Sequence, residues 1–541
     1  MLTVVFAVAL AAAGSTAIQF LITHLPFRLE NSESENRYAP EAMPGGLALF
    51  DYDGDGDLDI YFANGAELPS GRKTKTEHNN RLYRNDGKDG FTEVARALGL
   101  AGAGYDFGAA AADYDNDGDQ DLFVAGLRQN TLYRNDGGSF VDITSEAGLR
   151  RADETWSITG AWFDYDNDGL LDLFVVNYLN WKAGEDPLCG EEGKRDYCHP
   201  KFYEGTPNTL YRNLGDGAFE DISESAAILS HVGKGMGAAI ADFDQDGYID
   251  VFVTNDKLPN FLFHNEAGSG FSEIAFESTA ALPEHGNYVS GMGLDARDIT
   301  NDGLPDIAYA ALPGETFPLL FNTPDGYFDD ATARSGIAAQ SRDMAGYAAI
   351  IADLDNDGWK DIFFSRGDVL ARSTGALKVE QPNTVFRNLG SGEFQDVTSE
   401  AGFDDAPPKR HRGAGIGDLN GDGKLDLVVT ALRAEAEIWM NESSGEQHWA
   451  AFDLEGVQSN RDAIGATILV EAGGKTQVNH VTHSVGYASS SGGPVHFGLG
   501  EADVIDRVQV RWPSGLHQQL EALKADQVIV IREPSGSRPQ R

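Results

Sequence analysis

The sequence predicts an all-β chain, a seven-bladed β-propeller followed by a small C-terminal β domain, and three observations lead there. The acidic pattern D-x-[DNT]-x-D-G-x-x-D occurs seven times, beginning at Asp51, Asp113, Asp164, Asp242, Asp298, Asp353 and Asp418. Each copy joins two short runs of small or β-forming residues. A further segment, N-x-[LV]-[YF]-[RH]-N, recurs at 80–85, 130–135, 208–213, 260–265 and 383–388.

Within one unit the first run is rich in Gly and Ala, as in Phe107–Ala112, Gly160–Phe163, Gly235–Ala241 and Ala345–Ala352. The second run, such as Ile60–Ala63, Leu122–Ala125, Leu173–Val176, Val251–Thr254 or Leu427–Thr430, is short, β-branched or aromatic, and bounded by polar residues, so it reads as a strand. The Asn-bounded segment is a third strand with its turn, and degraded copies end at Asn322 and Asn441. After a glycine-containing turn an aromatic residue and an acid open a fourth strand, at Phe91, Phe140, Phe219, Phe271, Phe328 and Phe394. Successive loops start 62, 51, 78, 56, 55 and 65 residues apart. Insertions explain that irregularity against the roughly 40 to 50 residues of common propeller repeats. A linear calcium-binding β-solenoid fits poorly, because its repeats are about nine residues with one strand each. Closure needs a strand from the other end of the chain, and Phe27–Glu30 is expected to supply the one missing after Asn441.

The loops carry the chemistry. A bend at the sixth-position glycine gathers alternate carboxylates around one point, and calcium takes six to eight oxygen ligands in such a shell. The expected ligands are Asp51, Asp53, Asp55, Asp57 and Asp59; Asp113, Asp115, Asp117, Asp119 and Asp121; Asp164, Asp166, Asp168 and Asp172; Asp242, Asp244, Asp246 and Asp250; Asp298, Thr300, Asp302 and Asp306; Asp353, Asp355, Asp357 and Asp361; and Asp418, Asn420, Asp422 and Asp426. Up to seven structural Ca2+ ions follow. An EF-hand is excluded, since its twelfth-position Glu is here Phe62, Val124 or Val175 within a strand. The ninth-position acid must then close the shell. Thr300 and Asn420 are neutral donors, and their loops are expected to bind more weakly.

The 541 residues hold 85 acidic and 41 basic side chains, a net charge of −44. Seven calcium ions would bring it to about −30. The remaining acidity excludes nucleic acid as a partner, because phosphate backbones are met by clustered Lys and Arg. Residues Leu2–Gly14 are apolar but too short to span a bilayer, which takes about 20 residues. With Ser15-Thr16-Ala17 behind them they read as a signal peptide over 1–17, so the chain is expected to be secreted, extracellular or periplasmic. Millimolar extracellular calcium suits loops of modest affinity. Cys189 and Cys198, the only cysteines, lie in a polar insertion, and an exported chain most simply joins them in a disulfide.

No G-x-S-x-G, H-E-x-x-H or P-loop pattern occurs, and no catalytic residue is assigned. His480, His483 and His496 read as surface and cross-strand residues. The C-terminal part alternates as strands at 448–455, 465–471, 477–484, 495–499 and 508–512, with a polar tail at 534–541.

Four C-terminal segments, Ser459-Asn460-Arg461-Asp462-Ala463-Ile464-Gly465-Ala466, Gly486-Tyr487, Val495-His496-Phe497-Gly498-Leu499-Gly500 and Val510-Arg511-Trp512-Pro513-Ser514-Gly515, resemble the ASPIC/UnbV domain. The seven preceding units resemble the FG-GAP or VCBS repeats found with it in the cartilage acidic protein family. That resemblance implies a calcium-loaded propeller over 27–445, an appended β domain over 446–533 and a role in extracellular interaction. It brings no catalytic residues. The expected function is a scaffold that binds a protein or a glycan, through the insertions Gly65–Asn79, Tyr178–Pro207 and Ser365–Gln381. An enzyme or biosynthetic accessory protein, suggested by the UnbV label, is the alternative, and a deep central pocket would favour it.

Overall fold

The computed structural model describes residues 18–150, 155–191, 193–283, 285–373, 378–390 and 392–536. The expected signal peptide and the end of the polar tail lie outside them.

Among the described residues, seven units of four antiparallel strands follow one another, and the acidic loop joins strands one and two in each. Units 1 to 7 begin with Leu47–Phe50, Asp106–Ala112, Thr155–Phe163, Gly235–Ala241, Leu294–Arg297, Gly346–Ala352 and His411–Gly417. Each of these first strands touches the next, and the seventh touches the first, so the units stand in a ring. Unit 7 is completed by Phe20–Arg28, which pairs antiparallel with Glu435–Asn441 from Phe20 opposite Asn441 to Arg28 opposite Glu435. The closing strand is thus the expected device, but it begins seven residues earlier than Phe27–Glu30; its first half pairs from Phe20 opposite Asn441 and leaves Leu21, Thr23 and His24 exposed, so no regular buried alternation marks it.

The C-terminal residues form two sheets. One places His448–Glu455 between Val495–Gly500 and Gln527–Arg532; the other orders Lys475–His480, Thr467–Ala472, Val504–Arg511 and His517–Lys524. The last strand of each sheet is absent from the sequence reading. His517–Lys524 alternates exposed and half-buried residues over 517–521, but Gln518 takes one of the inward positions, so its sequence carries no apolar alternation.

Between the sheets the chain leaves as a short hairpin, Ser484–Val485 and Ser489–Ser491, which enters the ring. Ser489–Ser491 pairs parallel with Leu47–Phe50, and the hairpin contacts the first strand of every unit. Ala109 N–H donates to Ala488 O, Leu294 and Gly486 exchange both backbone bonds, and Ser484 Oγ donates to Ala238 O at 2.6 Å. A Cβ on Gly46 would stand 1.9 Å from Ala488 O. The Gly and Ala of the inner strands therefore make room for a finger. At its tip the Tyr487 hydroxyl donates to Met43 O at 2.9 Å, and its ring meets Tyr347 edge-on at 4.9 Å.

Residues 31–43 cap the opposite mouth. Glu41 is fully buried there, accepting from Ser34 Oγ at 2.6 Å, with the Tyr197 hydroxyl at 3.4 Å. The insertion Tyr178–Pro207 packs on this cap through Trp181 against Tyr38, and Asp196 accepts the Ala371 N–H at 2.7 Å. The Cys189–Cys198 disulfide staples that insertion, with Cα atoms 5.3 Å apart.

Candidate metal centre

Each acidic loop is held by its own backbone. The sixth residue is Gly in all seven, with φ between +81° and +104°, the left-handed region where a Cβ is penalised. Its N–H donates to the first-position acid, as from Gly56 to Asp51, Gly118 to Asp113, Gly169 to Asp164, Gly247 to Asp242, Gly303 to Asp298, Gly358 to Asp353 and Gly423 to Asp418. The ninth-position acids Asp59, Asp121, Asp172, Asp250, Asp306, Asp361 and Asp426 are buried, and one oxygen of each takes the N–H of the loop's second residue. The other oxygen takes the N–H of the asparagine that ends the third strand.

Those asparagines do more. The side-chain amide of Asn85 donates to Leu419 O of unit 7, Asn135 to Tyr52 O of unit 1, Asn213 to Tyr114 O, Asn265 to Tyr165 O, Asn322 to Phe243 O, Asn388 to Ile299 O and Asn441 to Leu354 O. Each unit is clamped to the one before it, around the whole ring. A second lacing runs the other way at the fourth loop position. Asn116, Asn167, Gln245, Asn301 and Asn356 donate to the carbonyls of Gly169, Gly247, Gly303, Gly358 and Gly423 in the next loop. Gly54 and Gly421 hold that position in loops 1 and 7, so the lacing stops there. Sequence reasoning assigned no role to either set; the recurring Asn was visible, but its partner is a backbone carbonyl of another unit.

One ligand atom from each of Asp51, Asp53 and Asp59 lies within 4.8 Å of the others, and likewise for Asp113, Asp115 and Asp121, for Asp164, Asp166 and Asp172, and for Asp242, Asp244 and Asp246. The first, third and ninth positions thus converge in loops 1 to 3. Asp119 is engaged elsewhere, accepting the Gly137 N–H at 2.6 Å. Burial raises the acids: Asp59 is pushed to about 8, Asp121 to about 9, Asp113, Asp164 and Asp426 to about 7, and Asp242 and Asp357 to about 6. Asp115 Oδ1, Asp166 Oδ1, Asp242 Oδ1 and Thr300 Oγ1 are buried oxygens with no hydrogen-bond partner. Clustered carboxylates that burial disfavours as anions, with orphaned oxygens among them, fit a hard cation. Thr300 is included, as the neutral donor expected in loop 5.

The C-terminal sheets dock on this loop face. Asp462 accepts the Asp113 N–H at 2.8 Å, Asn116 accepts the Arg461 N–H at 2.7 Å, and the Arg511 guanidinium pairs with Asp242. Lys475 donates to Asp357 O and Arg297 to His480 O. His480 and His483 are buried in this junction, and half-buried His496 donates from Nε2 to Gly423 O at 3.1 Å on its far side, which corrects the surface reading. Beside loops 1 and 7 the junction leaves a cleft of about 580 Å³, lined by Asp51, Asp418, Trp449, Asp453 and Phe497 among others. The ring axis itself is occupied by the finger.

The description "FG-GAP-like repeat" matches residues 51–124, 113–175, 201–253, 242–309, 298–364 and 366–429. The chain belongs to the FG-GAP-like repeat family. Its FG-GAP-like ring is followed by a segment matching "ASPIC and UnbV" at 456–538. Cartilage acidic protein 1 of Xenopus tropicalis is 24% identical over 502 residues, covering 88% of this FG-GAP-like chain and 71% of the relative. The Homo sapiens protein of that name is 25% identical over 501 residues, covering 88% and 70%. A solved Agrocybe aegerita lectin, specific for non-reducing terminal N-acetylglucosamine, covers 78% of this chain and 97% of its own at 17% identity and a TM-score of 0.41, too loose a likeness to carry an argument. Among the described residues no helix is long and apolar enough to cross a membrane.

Proposed function

We propose that the chain is a secreted seven-bladed β-propeller over 27–445, loaded with structural calcium and extended by a β domain over 446–533, that serves as an extracellular scaffold for a protein or glycan. The observation that carries the calcium reading is the set of orphaned loop oxygens beside carboxyls whose ionisation burial opposes. The ion would be held by the first-, third-, fifth- and ninth-position residues of each loop. It supplies positive charge at the joint between two strands and does no chemistry on a substrate. The disulfide and the modest-affinity loop type suit an oxidising, calcium-rich compartment. Partner docking is assigned to the face opposite the loops, where the stapled insertion exposes Leu188 at 58% and Phe202 at 56%. The axis favours no central-pocket enzyme, since the chain's own hairpin lies in it.

The test is a melt with and without chelator. Selective binding to the folded state adds about 2.7 kcal/mol per site at a hundredfold excess over the dissociation constant. A midpoint that chelation leaves unmoved defeats the reading. Capture of partners from native secretions, on immobilised protein with Tyr178–Pro207 intact or shortened, tests the docking face.

A further inference from the structure

The residue just before the clamping asparagine reaches the acidic loop in units 3, 4 and 6, whereas in units 1 and 2 Arg84 and Arg134 pair with Asp86 and Asp136. That residue is Arg84, Arg134, Arg212 and Arg387 in units 1, 2, 3 and 6, and Phe321 and Met440 in units 5 and 7. Arg212 reaches Asp166 at 2.6 Å, and Arg387 reaches Asp355 at 2.8 Å and Asp357 at 2.9 Å. Unit 4 alone has a histidine. His264 Nδ1 stands 3.2 Å from Asp250 Oδ1 and 3.6 Å from Asp244 Oδ2, and one ligand atom from each of the three lies within 4.8 Å of the others.

We propose that loop 4 is a site for an imidazole-accepting divalent metal of the Zn2+ class, held by His264, Asp244 and Asp250. This deepens the calcium reading, because it assigns one of the seven loops to a different ion. Two donors each about 2.1 Å from a tetrahedral zinc lie about 3.4 Å apart, between the two separations observed. Calcium selects oxygen, whereas imidazole with carboxylate suits Zn2+ and its neighbours. Asp250 is buried and fixed by the N–H groups of Phe243 and Asn265, so this one donor is pre-positioned. Asp244 also belongs to the cluster with Asp242 and Asp246. In that neighbouring cluster the Asp242 side chain is only 6% exposed; its Oδ2 accepts the Gly247 N–H and pairs with Arg511, while its Oδ1 is buried without a hydrogen-bond partner. A bare imidazolium–carboxylate pair between His264 and Asp250 is the competing account, and it predicts no Zn2+ uptake.

The experiment titrates the full chain, saturated with calcium, with Zn2+ by calorimetry and with Co2+ by visible absorption. One Zn2+ per chain is expected, along with Co2+ bands of a nitrogen-ligated site. His264→Arg installs the side chain of four sister units and is expected to weaken Zn2+ binding at least tenfold, with calcium-dependent melting retained. His264→Gln, smaller and neutral, is expected to act alike and serves if the arginine variant fails to fold. Absence of Zn2+ binding in calcium, or equal binding by the variants, overturns the assignment. Failure of the calcium reading would show separately, as a wild-type melting midpoint indifferent to chelator.

Discussion

The side-chain amide of Asn265 donates to Ile249 O at 3.1 Å and to Tyr165 O of the preceding unit at 2.9 Å, and its oxygen accepts the Gly268 N–H. Asn265→Ala leaves these buried groups unpaired at a cost of about 1 to 3 kcal/mol each, less what water recovers. Urea denaturation is expected to show a loss of about 2 to 4 kcal/mol. Glu41 supplies a pH dependence. Burial, partly offset by bonds from Ser34, raises its carboxyl from the ordinary 4.5 to about 7. A folded value above the unfolded one means the protonated form favours the cap. That contribution is complete below about pH 4.5 and is lost as pH rises through about 7. Hydrogen exchange in residues 31–43, corrected for intrinsic rates, should therefore accelerate across neutrality, and Glu41→Gln should flatten the profile. At this scale the acids were legible because they recur at every second position around a required glycine. The Asn and Gln at the fourth position were not, since only the neighbouring loop gives them a partner.

The finger is the element on which the two parts of the chain depend. Tyr487→Ala removes a fully buried ring and its bond to Met43, and is expected to cost about 3 to 5 kcal/mol by denaturant titration. Tyr487→Phe should cost only about 1 kcal/mol. Gly46→Ala drives a methyl into Ala488 O without removing any contact, so limited proteolysis should find 482–493 newly accessible in that variant. Sequence reasoning found the strands of each unit because turns punctuate short apolar runs. It missed the finger because Ser484–Val485 and Ser489–Ser491 are small, polar and without alternation, burying themselves only against another part of the chain. The glycine and alanine of the inner strands were the available signal, readable as space for an additional strand.

For the whole molecule, charge decides the response to conditions. If calcium fills the loops as proposed, removing it leaves 28 loop acids without counter-ions within a chain of net charge −44. Salt screens that repulsion, with a Debye length of about 30 Å at 0.01 M and about 3 Å at 1 M. Raising sodium chloride should therefore lift the melting midpoint markedly in chelator and little in calcium, as scanning calorimetry can record. The ring and its C-terminal sheets should melt in one transition, because they share both the loop face and the axis.

The pairing of Phe20–Arg28 with Glu435–Asn441 also dictates a schedule. The ribosome delivers the first partner long before the second, and the hairpin that fills the axis emerges later still. Six units can gather while the chain is being made. The circle itself is sealed only once residues 435–441 have been made, so until then the opening strand waits as an unpaired edge in need of protection.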